Sequence, residues 1–186
     1  TLAIDAGAID NIAGRVVNAG SGDSTVRAAT TLYNTGLIAG NGKLAVEAHD
    51  ARNSPDGVIA AGAALELTLH GSLDNEGTIS SRATLDMDAT TAVVKNRGVI
   101  VAGDDATLAM GRLDNDGGRI VTALGSGASL ALQADSLSNR GGAIMAEDAM
   151  AVQVAEGFDN TGGTLQAVNR MNVAVGATLD NDAGLI

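Results

Sequence analysis

The sequence predicts an all-β fold, a right-handed parallel β-helix of about nine coils with a period of about 21 residues. Three observations predict it. An eight-residue phrase keeps returning, as LDNDGGRI from Leu113, LSNRGGAI from Leu137, FDNTGGTL from Phe158 and LDNDAGLI from Leu179. A short alternating run lies between successive phrases. Glycine is abundant, with 25 residues against a single proline, which calls for many tight turns.

Aligned on its asparagine, the phrase gives Asn11, Asn34, Asn53, Asn75, Asn96, Asn115, Asn139, Asn160 and Asn181, separated by 23, 19, 22, 21, 19, 24, 21 and 21 residues. Two positions before each comes an apolar residue, among them Ile9, Leu32, Leu73, Leu113, Leu137 and Leu179. Four to six positions after each comes another: Val16, Ile38, Ile59, Ile79, Ile100, Ile120, Ile144, Leu165 and Ile186.

The mid-repeat runs read LAIDA from Leu2, LAVEA from Leu44, LELTL from Leu65, LDMDA from Leu85, LALQA from Leu130, MAVQV from Met150 and MNVAV from Met171. Alternation over five residues marks a strand with one face buried and one solvated. The glycines exclude a helical reading. Each repeat thus supplies two or three short strands and cannot bury its apolar face alone. Stacking the coils at ~4.8 Å spacing solves this and gives a rod roughly 40 Å long. Right-handedness follows from the chirality of parallel crossovers.

The 186 residues suffice for one sizeable domain, residues 1–186, with no boundary for a second. With one Tyr and one Phe, the core has to be Ala, Val, Leu and Ile. Phe158 shares the column of Leu137 and Leu179 and belongs to that core, whereas Tyr33 reads as a surface aromatic. A net charge of −11 argues against nucleic acid and anionic lipid as partners. No apolar run is long enough for a membrane-spanning helix, so no membrane insertion is expected, and no signal peptide opens the chain. The absence of cysteine excludes disulfides and thiolate metal sites, and suits a polypeptide exported unfolded.

The recurring asparagine has a structural explanation: it tolerates turn geometry, bonds nearby backbone, and forms an amide ladder when stacked coil on coil. The residues before it run Arg52, Asp74, Lys95, Asp114, and those after it run Glu76, Arg97, Asp116, Arg140. Both columns alternate in sign, so opposite charges should face each other one coil apart and resist slippage.

Candidates for chemistry are few. His49 and His70 each lie five residues after a strand-opening leucine and should stack on adjacent coils, beside Glu47 and Asp50. Four firm metal ligands cannot be named there, so no metal or cofactor is expected. Asp86 with Asp88, and Asp104 with Asp105, are the carboxylate pairs available for acid–base work. Without aromatic platforms or groove-walling insertions they read as solvated side chains, so a polysaccharide-degrading β-helix is the weakest of the readings and no catalysis is expected. GSGDS from Gly20 lacks the lysine of a phosphate loop. Pro55, in the SPDG that follows Asn53, reads as a bulged turn.

The repeat L-x-N-x-G-G-x-I-x-A followed by L-x-L-x-A resembles the haemagglutinin repeats of filamentous haemagglutinin-like exoproteins, including the contact-dependent growth-inhibition exoproteins of the two-partner secretion pathway. LSNRGGAIMAEDAMAVQV from Leu137 and FDNTGGTLQAVNRMNVAV from Phe158 are the clearest instances, and the resemblance spans essentially the whole chain. The early coils depart, with IAGRVVNA after Asn11 and SPDGVIA after Asn53. The resemblance implies an elongated shaft, secreted or displayed on a Gram-negative cell surface, exported unfolded through a dedicated outer-membrane transporter. The shaft would carry adhesive or toxic regions toward a target-cell surface protein or glycan. The repeat is under way at Leu2 and still running at Ile186, so an interior segment of a longer exoprotein, with uncapped edges, is expected.

Overall fold

The computed structural model describes residues 1–123, 125 and 127–186, and within them every regular element is a β-strand. The first coil is made by β1 (Leu2–Asn11) and β2 (Arg15–Asn18), the second by β3 (Ser24–Asn34) and β4 (Leu37–Gly40). The third has β5 (Leu44–Asn53) and β6 (Val58–Ala61), the fourth β7 (Leu65–Asn75) and β8 (Thr78–Ser81). The fifth has β9 (Leu85–Asn96) and β10 (Val99–Ala102), the sixth β11 (Ala106–Asp114) and β12 (Arg119–Thr122). The seventh has β13 (Leu130–Ser138) and β14 (Ala143–Ala146). The eighth has β15 (Ala149–Val154), β16 (Phe158–Asp159) and β17 (Thr164–Ala167), and β18 (Arg170–Val175) with β19 (Leu179–Asp180) begins a ninth.

Long strands pair in parallel in the order β1-β3-β5-β7-β9-β11-β13-β15-β18, and short strands in the order β2-β4-β6-β8-β10-β12-β14-β17. Each strand pairs with its counterpart one coil away. The fold is therefore a right-handed parallel β-solenoid of about eight turns with a period of about 21 residues. The ninth coil expected from the sequence is present as β18, β19 and the bridge Thr164↔Leu185.

The long strand is not straight. Register shifts between Ala28 and Thr31, Ala48 and Asp50, and Thr68 and Ser72 place unequal numbers of residues opposite one another. Such bulges bend a strand. In the eighth coil the same place splits it into β15 and β16. The first seven coils therefore have two hydrogen-bonded strands each, one of them bent, and the eighth has three.

The core is a set of apolar columns. Leu44, Leu65, Leu85, Ala106, Leu130 and Met150 stack in one, and Ile38, Ile59, Ile79, Ile100, Ile120, Ile144 and Leu165 in another, all buried. Phe158 is buried between Leu137 and Leu179. Small residues, such as Ala48 and Ala89 on the long strand and Ala61 and Ala102 on the short one, end these rows inside the rod. Pro55 occupies the second position of a β-turn closed by the Gly57 N–H on the Ser54 carbonyl at 2.7 Å.

Candidate functional site

The nine asparagines close the long strand at the same corner of every coil. Each side-chain amide donates to the carboxamide oxygen of the next coil, from Asn11 to Asn34 at 2.7 Å and Asn34 to Asn53 at 2.8 Å through to Asn160 and Asn181 at 2.7 Å. The intervening links, Asn53 to Asn75, Asn75 to Asn96, Asn96 to Asn115, Asn115 to Asn139 and Asn139 to Asn160, measure 2.7–2.9 Å. Many amides also reach a backbone carbonyl one coil on, as Asn96 does to Arg119 at 3.1 Å. From Asn34 to Asn160 these side chains are fully buried. A buried amide is tolerated only when its polar atoms are paired, and here they are paired with one another.

The residues after the asparagine make this approach feasible. Gly118, Gly142 and Gly163 donate their N–H to the carbonyl of Asn115, Asn139 and Asn160 across a β-turn at 2.9–3.1 Å. Gly117, Gly141 and Gly162 hold φ values of 71°, 60° and 62°, the left-handed third position of a type II turn. Ala13 and Ala183 fill that position where the phrase departs from double glycine. A Cβ on Gly142 would collide with the Asn115 carbonyl of the coil beneath and lie 2.6 Å from Asn139 Oδ1. Glycine is thus imposed by the coil spacing itself.

The charged columns flank this corner. The Cα register sets Arg52 opposite Asp74, Asp74 opposite Lys95, and Lys95 opposite Asp114. The ion pairs nevertheless run diagonally between columns. Arg52 reaches Glu76 at 3.7 Å, and Arg97 reaches back to Asp74 at 3.5 Å. Asp116 meets Arg140 through the backbone N–H at 2.9 Å and takes the Ser138 hydroxyl at 2.6 Å, while the Arg140 guanidinium turns to Asp159 at 3.8 Å. Asp159 is held below the usual carboxylate range, first by the Thr161 hydroxyl and backbone N–H and then by Arg140.

The histidines lie at the bend, where β7 carries an extra residue relative to β5. That shift puts Gly71, not His70, against the His49 ring. The expected stack is replaced by two separate contacts, His49 Nδ1 to Asp50 at 3.1 Å and His70 Nε2 to Glu47 at 3.7 Å. Asp50 also accepts the Ser72 hydroxyl at 2.6 Å, which, ahead of His49, holds its carboxyl below the usual range. Among the described residues no group of three or more His, Asp or Glu side chains is gathered for a metal ion.

Asp86 and Asp88 project outward from β9, Asp88 accepting from the Thr90 hydroxyl at 3.0 Å. Asp104 is exposed, and Asp105 accepts the Ser129 N–H at 2.8 Å. A shallow open depression does run along coils six to nine past Arg112, Asp114, Ser138, Asp159 and Asp180.

Sequence reasoning missed the outward face of the short strands. Leu37, Val58, Val99, Val101, Val121 and Met145 point away from the core and are half-buried. The signal was present in the unbroken apolar tetrads VIAA and VIVA, which read as strands buried on both faces.

No curated protein and no solved structure matches the chain. The family model for the haemagglutinin repeat does match, over residues 1–36, 19–77, 39–94, 84–155 and 125–186, which together span it end to end. A 21-residue solenoid carrying asparagine turns and tiled by that model along its whole length belongs to the haemagglutinin-repeat family.

Proposed function

We propose that this solenoid is a load-carrying shaft of a secreted or cell-surface exoprotein of a Gram-negative bacterium, holding adhesive or toxic regions at a distance from the cell. The observation that carries the reading is the uninterrupted asparagine ladder over columns of isoleucine and leucine. A framework so uniform supplies length and stiffness at every coil alike. Membership of the family supports export through an outer-membrane two-partner secretion transporter, with the cysteine-free chain crossing unfolded and gaining its structure outside.

The test is binding of the fluorescently labelled solenoid to epithelial cells and to neighbouring bacteria. A shaft gives no saturable signal at micromolar protein. Saturable binding to either cell type, abolished by changes in the Arg112–Asp180 depression in a folded variant, would replace the shaft with a receptor- or glycan-binding module. That second reading is favoured by the mixture of arginine, aspartate and serine side chains in the depression.

A further inference from the structure

We infer that the outward face of the short-strand sheet is an interface on which a second copy of this chain docks side by side, with the two rods pointing the same way. The inference goes beyond the shaft reading and rests on charge, pattern and geometry. Of the 22 Asp and Glu residues, none lies in the eight short strands. Elsewhere the surface of this −11 chain carries carboxylates on every coil, so two copies approaching on another face bring like charges together. The short-strand face avoids that. It offers Leu37, Val58, Val99, Val101, Val121 and Met145, with Arg15 and Arg119 as its only charged side chains.

A solenoid is also the partner whose spacing fits. The face repeats at ~4.8 Å, and only a surface of equal pitch keeps every row of side chains matched along the rod. A two-fold axis parallel to the rod sets each coil against its own counterpart, whatever the number of coils. Strands then run antiparallel across the interface. The start of each short strand faces the turn that ends its partner strand. Arg119, which makes no ion pair among the described residues, starts β12 of the sixth coil. The strand-ending turns of the fifth and seventh coils carry Asp104 and Glu147, one coil to either side. Each Arg119 thus meets acids of the other copy.

The face spans roughly 34 by 13 Å, comparable with the largest apolar patch on an ordinary monomer, and pairs to under about 1,000 Å², the weak end of specific interfaces. An interface of that size is weak and transient.

Sedimentation equilibrium between about 5 and 500 µM reads it, with the average mass climbing toward twice that of the chain at the top of the range. Val101→Glu should weaken association at least about tenfold by burying an unpaired carboxylate, while Ala131→Glu on the long-strand face leaves it unchanged. Geometry is tested separately in a folded background. The chain has no cysteine, so a nitroxide on Val17→Cys reports a single pair of sites. Rods pointing the same way hold the two labels within about 25 Å, whereas opposed rods set the first coil over the eighth, more than about 34 Å away. A monomer at every concentration, a dimer indifferent to Val101→Glu, or the long distance alone would each overturn the inference.

Discussion

Replacing Asn96 with alanine removes the middle of the asparagine column. Two buried groups lose their partner: the Asn75 amide, which donates to Asn96 Oδ1 at 2.7 Å, and Asn115 Oδ1, which accepts from Asn96 Nδ2 at 2.7 Å. The other contacts of the Asn75 amide, to the carbonyls of Gly77 and Val99, are both 3.4 Å and weak. An unsatisfied buried polar group costs about 1–3 kcal/mol, so the expected loss is about 2–6 kcal/mol. Asn11→Ala supplies the contrast. It deprives Asn34 Oδ1, which keeps the Gly36 N–H at 3.2 Å, and removes a long 3.3 Å contact to the Leu37 carbonyl, and should cost about 1 kcal/mol. Asn96→Asp adds a signature. The carboxylate presents an oxygen to Asn115 Oδ1 where a donor is required, and burial raises its pKa in the folded state above that in the unfolded chain. The folded state then binds the extra proton first, so the deficit relative to wild type is full at neutral pH and shrinks as pH falls through the folded pKa. Urea midpoints with unchanged slope measure all three variants. Equal losses at positions 11 and 96, or an Asp deficit that ignores acidification, would refute the reasoning.

The other predictions concern the corners and the surface. Gly142→Ala should be strongly destabilising, since its Cβ collides with the Asn115 carbonyl, whereas Gly7→Ala, with nothing within 4 Å, should be neutral or stabilising; thermal melts of the pair separate close approach from composition. Arg97→Glu sets a second negative charge beside Asp74 and should lower the melting temperature more at low salt than at high salt, by the equivalent of about 0.2–1 kcal/mol; equal losses at both salt concentrations would remove any role for the pair. Asp50 is held below 3.8 chiefly by Ser72, so its contribution is complete above the unfolded-state pKa and is lost as pH falls through the folded one; Ser72→Ala should flatten the acid limb of a stability–pH curve below about pH 4. Ile79→Ala, in the centre of a fully buried column, should cost about 2–5 kcal/mol by urea titration.

Legibility in the sequence followed periodicity. Asn115 and Ile120 mark the turn and the strand after it because both recur at one position of every coil, and alternation in LALQA shows which side chains turn inward. What periodicity cannot carry is the bend of the long strand. His49 and His70 hold equal positions counted from Leu44 and Leu65, yet one extra residue in β7 parts them, and counting along the chain does not show where a bulge falls. The charged columns were legible in part. Their register was legible from Arg52, Asp74 and Lys95, but the route of each guanidinium depends on side-chain reach across two columns. The outward valines of VIVA were in plain view and were overshadowed by the isoleucine between them.

The amide bonds of the asparagine column all run in one sense, each donor reaching toward the carboxy-terminal side. The column is therefore polar, with a donor facing one end of the rod and an acceptor facing the other. A completed coil presents an N–H, and the next stretch of chain needs only to bring an oxygen 19 to 24 residues later. Every addition closes a loop of nearly the same length, so the entropic toll of the last coil equals that of the first. Whole turns can be duplicated or deleted without posing the chain a new folding problem, and the rod's reach becomes a quantity that recombination can set one turn at a time.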